Sequence, residues 1–214
     1  MQLTAHINLG VTYASLGELD QAIEHTRRAV DLAIRTSAVT TSALVRSNLG
    51  GLLLDRGQLA RADEQLTRAI EIGERVGARR FLPEGYGFLA RTRLHQGDLP
   101  GAEVAARRSL ALATYAAATI DEGIASRVLG GVLARRGELD EAEGLLRRAQ
   151  EHLAEADVFE GARTTAQTAR FLALRDQPGD RERAAELRAE AARVFQRLGA
   201  KLDLARLDDD LEVR

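Results

Sequence analysis

The sequence has no cysteine and no tryptophan, three prolines, and a single lysine, Lys201. Without cysteine there is no disulfide frame, no thiol nucleophile and no cysteine-based zinc site. Aromatic residues make up only 4% of the chain, so a core has to be built from Ala, Leu and Val, small side chains that let helices approach closely. The shortage of proline favours long helices. No apolar run approaches the roughly 18 residues of a membrane span. The amphipathic N-terminus lacks the layout of a signal peptide. The expected location is therefore cytoplasmic, with no membrane partner. The formal net charge is −2, which argues against a dedicated nucleic-acid binder.

What the chain does have is a ruler. Gly17-Glu18-Leu19-Asp20-Gln21-Ala22 reappears as Gly57-Gln58-Leu59-Ala60-Arg61-Ala62, Gly97-Asp98-Leu99-Pro100-Gly101-Ala102 and Gly137-Glu138-Leu139-Asp140-Glu141-Ala142, a period of 40 residues. Each phrase reads as a hinge between two helices. Glycine tolerates the left-handed conformation that ends one helix, and the acidic residues suit the N-terminal dipole of the next. Before the first hinge, Leu3, Ile7, Val11 and Ala14 have helical spacing. After it come Leu19, Ala22, Ile23, Ala29, Val30 and Ala33. The same layout predicts repeats over 2–36, 39–77, 80–116, 118–156 and 158–198, followed by a capping helix over 201–212. In the fifth repeat Gln177-Pro178-Gly179-Asp180 replaces the single-glycine hinge, so Ala184 matches Ala142 at an offset of 42. An atypical, polar last element is what a repeat array needs to close its exposed end.

Four columns line up across the repeats: Leu9-Gly10, Leu49-Gly50, Leu89-Ala90 and Leu129-Gly130; Tyr13, Leu53, Arg93 and Leu133; Ala22, Ala62, Ala102 and Ala142; and Ala29, Ala69, Ser109 and Ala149. This pattern resembles the tetratricopeptide repeat (TPR) family over about residues 2–198. The sequence departs from the family in lacking its tryptophan and its closing proline, in placing Arg93 in an apolar column, and in having a period of 40 rather than about 34. The longer period resembles the TPRs of bacterial regulators, including peptide-sensing transcription regulators and ATPase-linked activators.

The resemblance implies an all-α, right-handed TPR solenoid of five helical hairpins plus a C-terminal capping helix, a single domain over 1–214. It implies a concave face lined by the first helix of each hairpin. The family's groove-facing positions fall on Ile7, Asn8, Val11 and Ser15; on Leu44, Ser47, Asn48, Gly51 and Asp55; on Glu84, Gly87, Arg91 and His95; and on Ile124, Arg127, Gly131 and Arg135. Asn8 and Asn48 share a column and offer donors and an acceptor to an extended peptide backbone; hydrogen bonds within their own hairpins are the alternative. Arg91, Arg127 and Arg135 form a candidate basic strip for an acidic or C-terminal segment, with a solvated face as the alternative. Gly51, Gly87 and Gly131 leave room for a ligand backbone or for helix packing.

Enzymatic chemistry finds no support. His6, His25, His95 and His152 are read as falling in different repeats with no shared spacing, and no metal site is expected. Gly85-Tyr86-Gly87 lies inside a helical pattern with no preceding strand, so it is not a nucleotide loop. The acidic run Asp208–Asp210 reads as a solvated helix end. The expected function is a non-catalytic protein- or peptide-binding scaffold of a bacterial regulatory, adaptor or sensor kind, without cofactors and without direct nucleic-acid contact. Self-association as a homodimer is the alternative role.

Overall fold

A computed structural model describes residues 1–209. Its helices are α1 (Gln2–Ser15), α2 (Leu19–Arg35), α3 (Val39–Asp55), α4 (Leu59–Val76), α5 (Leu82–Gln96, entered through a 3-10 turn at Arg79–Phe81), α6 (Leu99–Tyr115), α7 (Thr119–Arg136), α8 (Leu139–Leu153), α9 (Val158–Arg175), α10 (Asp180–Leu198) and α11 (Lys201–Asp209). The described residues contain no β-strand. Residues 210–212 of the expected capping helix, and with them Asp210 of the acidic run, lie outside the described residues. The chain divides into two compact units, Met1–Leu112 and Ala113–Arg214, with the boundary inside α6. In the first, α2 packs on α1 and α3, and α4 packs on α3 and α5, while α3 also touches α5. In the second, α8 packs on α7 and α9, α10 packs on α9 and α11, and α7 also touches α9.

Close approach within a hairpin follows from the small residues. Ala22, Ala62, Ala102 and Ala142 are all fully buried. A Cβ added at Gly50 would sit 2.4 Å from Cγ of Leu66, and one at Gly130 would sit 3.0 Å from Cγ of Leu146. In the third repeat the first-helix position is Ala90, and its partner position, sixteen residues on, shrinks to Ala106; both are fully buried. A larger residue on the first helix is thus met by a smaller one on the second. Arg93, which occupies the apolar column, is accommodated by an ion pair at 3.3 Å with Asp63 of α4.

The hinges adopt the left-handed turn expected of them, with φ of 76°, 75°, 82° and 85° at Gly17, Gly57, Gly97 and Gly137. In each, the residue after the glycine donates its N–H to the carbonyl five positions back, as Gln58 does to Leu53 at 2.8 Å, the geometry that satisfies the last carbonyls of a helix. A second ruler of the same period lies between hairpins. Ser37, Gly77 and Ala117 take φ of 54°, 67° and 49°, and Ala38, Ala78 and Ala118 donate to Ala33, Gly73 and Ala113. Two of these three positions carry a side chain in a conformation that costs an L-residue about 1–2 kcal/mol. The series ends at Asp157, where the backbone is extended and the carboxylate caps α9 by accepting from the N–H groups of Phe159 and Glu160.

The fifth hairpin closes by a different device. Asp176 takes φ 50° and Gly179 takes φ 86°. Directly after them, the Asp180 carboxylate accepts from the Gln177 N–H at 2.9 Å and from both Nε and Nη2 of Arg175, at 2.9 and 2.7 Å. The forked Arg175 bond holds the Asp180 carboxyl below its ordinary 3.8, at about 2. Arg175 also reaches Glu143 on α8 at 3.0 Å and stacks on Phe171. In the fifth hairpin a left-handed Asp176 thus takes the place of the hinge glycine, and the ion-paired clamp braces the longer turn that follows it.

Two outcomes follow from these turns. Ser37→Gly and Ala117→Gly should each raise stability by roughly 0.5–1 kcal/mol, since relief of left-handed strain outweighs the added freedom of the unfolded chain; urea denaturation measures this, and a loss would show that the side chains hold the turn. Because Asp180 has a depressed folded pKa, its stabilisation is complete above its ordinary value and is lost as pH falls toward about 2. The difference in urea midpoint between the protein and Asp180→Asn should be constant through neutral pH and vanish over that acidic window.

Candidate functional site

In the first unit, α1, α3 and α5 line an open groove of about 250 Å³. Ile7, Val11 and Ala14 come from α1, Val45, Asn48, Gly51, Leu52 and Asp55 from α3, and Glu84 and Phe88 from α5. The wall is mostly apolar with a few polar groups, the composition of a binding site. Its volume falls just below the roughly 300–1,000 Å³ of small-molecule pockets, and so suits one or two side chains of a longer ligand. Val11 is 57% exposed and is free to meet such a side chain. Asn48 is half-buried in the wall. Asp55 lies 3.8 Å from Nη2 of Arg91, so the polar end of the groove holds paired charge rather than a bare cation.

The positions expected to face a ligand do not all meet at this groove. Val11, Asn48 and Gly51 do, together with Ile7, Asp55 and Glu84. Asn8 occupies the same column as Asn48 but is exposed outside the groove lining. His95 is exposed near the end of α5 and Arg135 near the end of α7. Space above Gly51 is taken by the Phe88 ring, which an added Cβ would meet at 3.0 Å; above Gly131 the Gln167 amide does the same at 2.9 Å. These glycines seat a side chain of the following repeat. Phe88 was not among the expected groove residues. The available signal was a rare aromatic, next to Gly87 on a helix, lying one repeat beyond a glycine able to receive it.

Arg127 has a structural partner. Its side chain is only 13% exposed and pairs closely with Glu160 of α9. Glu160 also binds Arg163 at 3.0 Å, and Arg163 in turn makes a forked pair with Asp203 of α11 at 2.8 and 3.3 Å while lying over the Phe159 ring. Burial pulls the Arg127 guanidinium below its ordinary range, and Glu160 opposes that shift. The chain of charges runs from α7 through α9 to α11 and ties the terminal helix down.

The histidines also differ from expectation. His6 and His25 belong to one hairpin, with their Nδ1 atoms 2.9 Å apart, and Tyr13 stacks on the His25 ring at 5.3 Å. His152 lies with its Nδ1 3.1 Å from the Thr119 carbonyl. Among the described residues no group of three or more His, Cys, Asp or Glu side chains is placed to hold a metal ion, and no helix is long and apolar enough to cross a membrane.

Comparison with known proteins agrees with the geometry. Residues 1–130 match the model of the MalT-like TPR region, and residues 124–148 match a tetratricopeptide repeat model. No curated protein matches the chain. Among solved structures, kinesin light chain TPR-like repeats from Podospora anserina align at 18% identity and TM-score 0.65, over 91% of this chain and 95% of that one. A Rap protein in complex with competence and sporulation factor aligns at 16% identity and TM-score 0.73, over 99% and 64%. A signal-transduction ATPase with a tetratricopeptide repeat sensor from Pyrococcus horikoshii aligns at 16% and TM-score 0.69, over 96% and 31%. At these identities the likeness is one of fold.

The buried pair in the second unit yields a further expectation. Glu160→Gln leaves the Arg127 charge buried without a counter-ion and should cost about 3–5 kcal/mol. Replacing both members of the pair by apolar side chains, in the double substitution R127M/E160L, should recover most of that loss. Chemical denaturation of the parent, the single and the double variant checks it, together with Arg127→Met alone; additive effects of the two single changes would show that the side chains act independently.

Proposed function

Since the chain belongs to the MalT-like TPR family, we propose that it is a non-catalytic protein- or peptide-binding scaffold whose ligand enters the α1–α3–α5 groove. The observation that carries this reading is the coincidence, in one place, of exposed Val11, the half-buried Asn48 amide and the Phe88 ring. An apolar ligand side chain would rest against Val11, Leu52 and Phe88. The Asn48 amide supplies both donor and acceptor to the ligand backbone beside it. Because Asp55 and Glu84 line the groove and Arg91 stands close to Asp55, a ligand flanked by polar residues of mixed sign fits better than an acidic tail. A bacterial regulatory or sensor role is supported by the family and by the fold shared with a Rap protein solved with competence and sporulation factor and with the repeat sensor of a signal-transduction ATPase.

The test uses a random peptide-display library selected on the full chain. Enriched peptides should share an apolar anchor and bind in the micromolar range. Val11→Asp places a charge on an exposed position of the groove, and Asn48→Ala removes the amide. Each should weaken those peptides by about tenfold, equivalent to about 1.4 kcal/mol, with the melting temperature little changed. Peptides that bind all three proteins equally would place recognition elsewhere and sink the assignment.

A further inference from the structure

The first helix has a second free face, on the side away from the groove. Gln2, Ala5, Leu9, Thr12 and Leu16 follow one another at alternating steps of three and four residues, which makes a single stripe on a helix. Ile7, Val11 and Ala14, which line the groove, lie about half a turn round the helix from it. All five stripe positions are exposed. At the same register in later hairpins the stripe is covered. Leu9 is 39% exposed, whereas Leu49, Leu89 and Leu129 are 4%, 4% and 1%, and the counterparts of Ala5, namely Val45, Gly85 and Ala125, are all buried. On α3 the cover is α2: Arg56, the counterpart of Leu16, reaches Asp20 of α2 at 2.9 Å, while the Gly50 side of α3 is taken by Leu66 of α4. A turn of three residues, 36–38, joins α2 to α3, so the two run antiparallel. Charge is missing from the uncovered helix. No residue from Gln2 to Ser15 is Asp, Glu, Lys or Arg, in a chain of which 29% is charged. A helix face that stays in water ordinarily carries charged residues.

We propose that a second copy of the chain covers this face, the two α1 helices packing antiparallel about a two-fold axis. In a two-fold contact each surface meets its own copy, so a charged helix repels its partner and an uncharged one does not. The antiparallel register that sets Leu9 against the partner's Thr12 also sets Leu16 against the partner's Ala5. A large residue then meets a small one at each step, the rule that Gly50 and Leu66 follow inside a hairpin. The partner's α1 takes the place on α1 that α2 takes on α3, with the same antiparallel sense. One helix face about 21 Å long stands at the small end of specific interfaces, so the dissociation constant is on the order of tens of micromolar. Because the stripe and the groove lie on opposite sides of α1, dimerisation leaves the groove open.

The experiment is sedimentation equilibrium of the full chain from about 1 µM to about 1 mM, which brackets that affinity. The apparent mass should rise from 23.2 kDa toward twice that value. Leu9→Glu and Leu16→Glu, both at exposed positions, should each weaken the dimer at least about tenfold with helix content unchanged by circular dichroism. Val11→Asp, on the groove side, should leave the dimer intact, and Leu16→Glu should leave peptide binding by the groove intact. The absence of cysteine allows the register to be read directly. Oxidising a mixture of Ala5→Cys and Leu16→Cys chains should link them by a disulfide. Either chain alone should stay unlinked, since like positions stand roughly 16 Å apart in this register, beyond the roughly 7 Å that a disulfide spans between Cα atoms. A monomer mass over the whole range, a dimer indifferent to both glutamate substitutions, or a disulfide formed by Leu16→Cys alone would overturn the proposal.

Discussion

The tight crossing of the two helices in each hairpin is the contact on which the rest of the structure depends. It requires a small residue on each side, and the chain supplies one repeatedly. The alanines at 22, 62, 102 and 142 have no exposed surface, and Gly10, Gly50 and Gly130 lie where a methyl group would collide with Thr26, Leu66 and Leu146. Because the interior is close-packed, a change on one side of this contact must be matched on the other, as Ala90 and Ala106 show. The crossing fixes the rotation of each first helix about its axis. That rotation decides which residues point into the groove and which are lost to packing.

Between the crossings, the turns solve one problem in several ways. A helix end leaves carbonyls without partners, and a left-handed residue brings a following N–H back to them. Glycine does this without steric cost in the four hinges. Ser37 and Ala117 do it under strain, and there the register of the repeat overrides the preference of the side chain. In the fifth hairpin Asp176 also turns left-handed, and Arg175 and Asp180 brace the longer turn with a forked ion pair. Charge takes a similar part at α11, where Arg163 joins Glu160 to Asp203 alongside the apolar contacts of Phe195 and Leu207. The repeat pattern is weakest where these charged substitutes are strongest.

The groove was only partly legible beforehand. Val11, Asn48 and Gly51 recur at fixed places in a repeat and could be assigned by register. Asn8 could not be separated from Asn48 by the same reasoning, because a column records position within a repeat and not the burial contributed by neighbouring repeats. Phe88 escaped because its importance comes from Gly51, a residue on another helix. Arg127 looked like a ligand-facing cation until Glu160, 33 residues away, was seen to meet it. The His6–His25 contact escaped because the four histidines share no spacing and were assigned to different repeats, although His6 and His25 lie in one hairpin.

Sequence alone determined the 40-residue period, the all-helical hairpin fold, and the small-residue columns. These features depend on local backbone preference and on one contact repeated many times, so each copy corroborates the others. Only the tertiary structure decided which arginines are neutralised, which glycines are filled, which asparagine enters the groove, and which histidines meet. Those outcomes depend on the reach and rotamer of single side chains across neighbouring helices. Such contacts change their residues from one repeat to the next, and periodicity records the position of a contact but not the side chains that make it.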